Sequence, residues 1–280
     1  MKLKNFLAMM AIASCAVACS DDDDTMVDYA QNVTGTYNGY TVANSAYFQN
    51  MAATGQSVTI TAASENKVNI SYTGGAWGEF AITDADVTLS GETYAISGSG
   101  KTVMGHAGSS SEYDCTVKAI LKSDKTIDSF LFSVPSVMGG LTIDLREGDA
   151  PAALMIAGTY TGTLDLSVGG NASGSVEEET VTIAYVEEDG TAAMTLKGFQ
   201  AMESEMGDIE ITGVNVTTTD YSTYTVSGEV NAQTSFGAGN ITVTGSVSGT
   251  IIDGAASITF KLKPGAMPME ITAAFTTDAK

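Results

Sequence analysis

The chain has 280 residues, 44% of them hydrophobic and only 16% charged, enough apolar material for one or two packed domains and too much for a disordered tail. Twelve basic residues stand against 33 acidic ones, a net charge of −21 at pH 7. Such a surface repels phosphate backbones, which excludes nucleic acid as a partner, and it offers anionic headgroups no basic patch.

At the N-terminus, Lys2 and Lys4 precede an apolar stretch from Phe6 to Ala18, the pattern of a secretory signal peptide over residues 1–18. The stretch is too short to span a bilayer and is followed almost at once by four aspartates. It ends Ala16-Val17-Ala18-Cys19, which resembles the lipobox of bacterial lipoproteins, with Ala16 where Leu is usual. That resemblance implies that Cys19 is acylated and becomes the new N-terminus, so the partner here is the membrane, held through a lipid anchor. Ser20-Asp21-Asp22-Asp23-Asp24 resembles the surface-export signal of Bacteroidota lipoproteins, although a plain solvated spacer has the same composition. Residues 19–32 are thus read as a lipidated acidic tether, and the expected location is the outer membrane, exposed at the cell surface.

The remainder repeats itself. Val33-Thr34-Gly35-Thr36-Tyr37-Asn38-Gly39 matches Ile156-Ala157-Gly158-Thr159-Tyr160-Thr161-Gly162, and Ser57-Val58-Thr59-Ile60 matches Thr180-Val181-Thr182-Ile183 at the same spacing. Thr93-Tyr94 answers to Thr223-Tyr224, and Pro135 to Pro264, in the same order. A period this long means duplication of a whole domain, placed at 33–149 and 154–278.

Within each half the apolar period is two. Val58 and Ile60 lead through a Glu65-Asn66 turn to Val68, Ile70 and Tyr72. Val117, Ala119 and Leu121 turn at Ser123-Asp124-Lys125 into Phe130, Phe132 and Val134. In the second half Val181, Ile183 and Tyr185 turn at Glu188-Asp189-Gly190, and Ile251 turns at Asp253-Gly254 toward Ile258, Phe260 and Leu262. Asp-Gly between alternating runs marks a tight hairpin, because Gly accepts the positive φ required. The pattern predicts an all-β chain with about eight antiparallel strands per half, and helical periodicity only near Ala43–Ala53.

The Gly-x-Tyr-x-Gly opening of each half, followed by a meander, resembles the calycin-like β-barrel lipoprotein family of Bacteroidota over nearly all of the chain after residue 32. The resemblance implies two tandem lipocalin-like antiparallel β-barrels. In lipocalins an aromatic residue on the first strand closes the barrel floor and a basic residue of the last strand packs across it; Tyr37 and Arg146 would take those places in the first half, and Tyr160 the first of them in the second.

Catalytic chemistry finds little to work with. His106 is the one histidine, in a Gly105-to-Ser109 segment that reads as an exposed loop, and Gly245-Ser246-Val247-Ser248-Gly249 puts Val where a nucleophile elbow needs Ser. Cys115 is left alone once Cys15 and Cys19 are accounted for, and its alternating surroundings predict a buried, inert thiol. Asp84-Ala85-Asp86 and Glu187-Glu188-Asp189-Gly190 could offer oxygens to calcium but coincide with predicted turns, so no metal and no cofactor is expected. Trp77 with Phe80, and Tyr37, Tyr40, Tyr47 and Phe48, could line a barrel mouth or a sugar-stacking platform, but aromatics on strands mostly fill cores, which is the preferred reading for all but Trp77. Trp77, the one tryptophan, sits among glycines in Gly74-Gly75-Ala76-Trp77-Gly78, as a loop contact residue would. The chain therefore reads as a non-enzyme that binds a small hydrophobic or glycan ligand, with Trp77, Tyr37 and Arg146 as candidate contacts in the first half. The alternative is a structural or adhesive surface protein with filled barrels and no small ligand.

Overall fold

A computed structural model describes residues 27–277 apart from 107–108, 199, 202–203, 206 and 237–238. Cys19, Ser20 and Asp21 to Asp24 lie outside the described residues.

A four-residue helix, α1 (Ala30–Val33), is followed by eight strands: β1 (Gly35–Asn44), β2 (Met51–Ser64), β3 (Lys67–Gly75), β4 (Gly78–Ser90), β5 (Thr93–His106), β6 (Ser109–Lys122), β7 (Ile127–Val134) and β8 (Leu141–Glu147). Each strand pairs antiparallel with the next, and β1 also pairs β8 from Gly39–Glu147 to Asn44–Thr142, which closes the sheet. A second short helix, α2 (Ala152–Met155), starts the same plan again: β9 (Gly158–Val168), β10 (Asn171–Val186), β11 (Thr191–Leu196), a small hairpin of β12 (Gln200–Ala201) and β13 (Ser204–Glu205), then β14 (Ile209–Thr218), β15 (Thr223–Phe236), β16 (Gly239–Ile252), β17 (Ala255–Pro264) and β18 (Ile271–Thr277). β18 closes on β9 to give a second eight-stranded barrel. The chain is thus two closed antiparallel barrels, and closure leaves neither barrel with an unpaired sheet edge.

Alternation drives the closure. On β6 the buried residues are Cys115, Val117, Ala119 and Leu121, and on β17 they are Ala256, Ile258, Phe260, Leu262 and Pro264. An eight-stranded barrel has an interior just wide enough for such side chains to fill.

The repeated opening motif has a direct structural meaning. Tyr37 Oη donates to the Val33 carbonyl at 2.7 Å, and Tyr160 Oη to the Ile156 carbonyl at 2.8 Å, so each tyrosine ties the short helical plug to the base of its barrel. The glycine two residues on, Gly39 or Gly162, lies at the closing seam. A Cβ there would overlap the carbonyl oxygen of Arg146 or Thr276 on the last strand.

Residues 43–53 are not helical. Ala43 and Asn44 end β1, residues 51–53 begin β2, and residues 45–50 form a turn in which Ser45 Oγ accepts from the amides of Tyr47 and Phe48. That local side-chain hydrogen bonding outcompetes the weak helical spacing.

The two barrels touch through an apolar contact of their own. Tyr40 and Val42 on the outer wall of the first barrel pack with Ala150 and Leu154, flanked by Met155, Tyr185 and Tyr221 from the base of the second. The base of barrel two therefore rests on the side of barrel one.

Candidate functional site

The lumen of the first barrel is occupied by its own side chains. Tyr72, Phe80, Phe130 and Phe132 are essentially inaccessible to solvent, with centroid separations of 5.7 Å for Tyr72–Phe80, 4.8 Å for Phe80–Phe132 and 5.3 Å for Phe130–Phe132. Tilted and edge-on contacts at these distances are the favoured aromatic geometries. The second barrel is filled mainly by aliphatic residues with Phe260 and Phe275.

Trp77 closes the end of barrel one opposite the α1 plug. It sits in a two-residue turn between β3 and β4, with Gly75 paired to Gly78. The glycine-rich segment is tight rather than loose: a Cβ on Gly75 would overlap the Tyr72 ring beneath it. The indole is more than half buried, stacks on Phe48 at 5.9 Å, and donates its N–H to the buried hydroxyl of Thr41 at 2.8 Å. Under it, Tyr72 Oη donates to Gln56 Oε1, which also accepts the Ala76 amide at 3.1 Å, while Gln56 Nε2 donates to the Thr54 carbonyl. Burial pushes the Tyr72 phenol up to about 12. The expected loop contact residue is thus a cap whose polar atom is already engaged inside the barrel. Among the described residues, two inward hydroxyls, Thr102 Oγ1 in barrel one and Thr234 Oγ1 in barrel two, are buried without a hydrogen-bond partner.

Tyr37 lies at the other end, at the base, with its ring near Phe130 and its phenol raised to about 12 by burial and the Glu147 charge. Arg146 does not cross it. Leu141, Ile143 and Leu145 take the inward positions of β8, so Arg146 points outward, opposite Tyr40. Its Nε donates to Asp144 at 2.9 Å and its Nη1 to Glu187 of the second barrel at 2.9 Å. Burial opposes its charge, but Asp144 and Tyr40 hold its pKa above the ordinary value. The expected floor pair of Tyr37 and Arg146 is therefore replaced by a strut between barrels, as strand parity requires.

The other sequence candidates divide simply. His106 is the last residue of β5, paired with Ser109, so the hairpin is shorter than the loop expected there. Cys115 is 2% exposed, and burial raises its thiol to about 11, which fits the inert reading. Asp86 pairs with Lys67, Glu187 with Arg146, and Asp189 caps its own turn through Thr191. Among the described residues no group of three or more His, Cys, Asp or Glu could hold a metal ion. None of their helices is long and apolar enough to cross a membrane. Tyr47 is 81% exposed on the rim beside Phe48, not in the core.

The residues that sequence reading missed are those at the barrel junction. A groove of about 510 Å³ runs along it, lined from barrel one by Asn38, Thr54 and Gln56, and on the far side by Asp149 and Tyr221. Tyr221 Oη donates to the Ala150 carbonyl at 2.9 Å, and Tyr221 holds a positive φ of 56°.

Two closed, eight-stranded antiparallel meanders, each plugged by a helical turn and a tyrosine, define a tandem small-barrel protein. Residues 33–144 and 156–278 both match the calycin-like beta-barrel domain, and the chain belongs to that family. It is similar to a solved structure from Bacteroides fragilis described as a "putative outer membrane protein", with 30% identity and a TM-score of 0.76, covering 90% of this chain and all of the other. A second structure, of a protein with unknown function from Nostoc punctiforme, spans 91% of the chain and all of its own at 9% identity, but its TM-score of 0.25 carries no argument. Among curated proteins nothing matches.

Proposed function

We propose that this chain is a non-enzymatic outer-membrane lipoprotein, held by acyl chains on Cys19 and displayed at the cell surface. Its two filled barrels act as a rigid body that meets its ligand on the outside rather than carrying a lipophile within. The observation that carries the second part is the packed lumen of barrel one, with four large aromatic side chains along its axis and Trp77 across its mouth. A carrier of the lipocalin kind needs an open cavity of about 300 Å³ or more for its ligand. The outer-membrane part is supported by the leader pattern and by the description of the Bacteroides fragilis neighbour.

Two measurements test the reading. Titration of the Cys19→Ala chain with a fluorescent polyene fatty acid should give no saturable binding, and a one-to-one complex of micromolar affinity would overturn the outer-surface reading. In cells, Cys19→Ala should release the protein from membranes, and alanines in place of Asp21 to Asp24 should protect the anchored protein from protease added outside. A Cys19→Ala protein that still sediments with membranes would refute the anchor.

A further inference from the structure

The groove at the barrel junction is built, not incidental. Between Gly39 and Thr41 the register of β1 on β2 slips, so that Thr54 and Gly55 together face the single residue Tyr40. Gly55 takes the left-handed backbone such a bulge needs, with φ +65°. With glycine at both 39 and 55, the wall is thinned to bare backbone there, beside Gln56, whose carboxamide turns inward to the Tyr72 hydroxyl. Gln56 is only 8% exposed, and its three hydrogen bonds hold it still.

The opposite side is held as firmly. Asp220 Oδ1 accepts from the amides of Ser222 and Thr223 at 2.9 and 2.8 Å, fixing the turn, and the Tyr221 hydroxyl is tied to Ala150. A tyrosine in the left-handed region costs about 1–3 kcal/mol, and such strain concentrates where a side chain is held for use. The result is an aromatic ring fixed beside an open groove of about 510 Å³, within the ~300–1,000 Å³ range of small-molecule sites.

The lining selects the ligand class. It holds the Asn38 amide, the Thr54 hydroxyl, one carboxylate and one aromatic ring, and no lysine, arginine or histidine, so anions meet Asp149 with nothing to balance it. An aliphatic chain would strand the Asn38, Thr54 and Asp149 polar groups without water. A sugar ring fits both demands: its C–H face can cover a tyrosine, while its hydroxyl edge can both donate to Asp149 and accept from Asn38. We propose that this groove binds a short neutral glycan, with Tyr221 as the stacking platform and Asn38, Thr54 and Asp149 as its hydrogen-bonding rim. The proposal rests on the outer-surface reading above and gives it a place and a ligand class.

The test is calorimetric titration of the full Cys19→Ala chain with cellohexaose, xylohexaose, maltohexaose and mannohexaose, and separately with hexagalacturonate and palmitate. At least one neutral hexasaccharide should bind saturably with Kd below 1 mM (a working threshold of about −4 kcal/mol). Asn38 is exposed, so Asn38→Ala leaves the fold intact and should weaken that binding at least tenfold, as should Tyr221→Ala. Tyr47→Ala, on the exposed rim of barrel one, should leave it unchanged. Neutral-glycan binding that ignores Asn38→Ala would place the ligand elsewhere on the surface and overturn the groove alone. No binding by any neutral sugar, or binding of hexagalacturonate only, would overturn the ligand class. Palmitate binding lost in Trp77→Ala would overturn the outer-surface reading itself.

Discussion

Replacing Trp77 with alanine separates a barrel cap from a free loop residue. The indole is more than half buried, so roughly 150 Å² of its ~200 Å² leaves water, worth about 4 kcal/mol at ~25 cal/mol/Å². The N–H to Thr41 adds about 1 kcal/mol net, since water entering an opened mouth would satisfy the freed hydroxyl. Trp77→Ala should therefore destabilise the chain by about 4–5 kcal/mol. Trp77→Phe, which keeps the stack on Phe48 and loses only the N–H and some area, should cost about 1–2 kcal/mol. Urea unfolding followed by far-UV circular dichroism reads both variants, because the one tryptophan is itself the site of change. A loss below about 0.5 kcal/mol for Trp77→Ala, the ordinary range for an exposed surface position, would refute the capping argument.

Gly39→Ala and Gly162→Ala each force a Cβ onto a carbonyl of the closing strand and should lower the urea midpoint by an amount equivalent to about 1–3 kcal/mol; an unchanged midpoint would mean the seam is looser than described. Thr102→Val removes an unpaired buried hydroxyl at nearly constant shape and should raise stability by about 1 kcal/mol, whereas a loss would reveal a partner for that hydroxyl. The phenols of Tyr37 and Tyr72 are both raised to about 12, chiefly by burial, above the ordinary value of 10.0. Because the folded pKa is the higher one, their contribution is complete below pH 10 and lost as pH rises toward 12, so spectrophotometric titration should show a late tyrosine phase accompanied by unfolding. Full ionisation of all tyrosines near pH 10 with the fold retained would contradict it.

Much of the architecture was legible in the residues because it rests on local chemistry. The Asp253-Gly254 and Glu65-Asn66 turns, the alternation on β6 and β17, and the paired Tyr37 and Tyr160 motifs are each short-range signals, and the duplication repeats them in order. The role of Arg146 was readable too, but by a different count: stepping in twos from Leu141 puts it on the outside, where an analogy with lipocalins puts it on the floor. Gly74 to Gly78 misled because glycine admits close packing as readily as it admits freedom, and here the Tyr72 ring fills the space. The barrel junction was the least legible part. Its one trace is the run Tyr40-Thr41-Val42-Ala43, buried on both faces where a barrel strand alternates. Comparing the repeats sharpens that trace: Leu154 and Met155 pack into the junction, whereas their counterparts in the first half, Gln31 and Asn32, are exposed.

The central claim, that both barrels are filled with their own side chains, is tested most directly by crystals of the chain under xenon pressure. Dry apolar cavities of about 150 Å³ take up xenon, so the gas reports empty lumen space without any assumption about the natural ligand. Filled barrels should show no xenon on either barrel axis, neither beside Phe80 and Phe132 in the first nor beside Phe260 and Phe275 in the second. Ordered xenon at either place would mean an open lumen and would return lipophile carriage to the first barrel or the second.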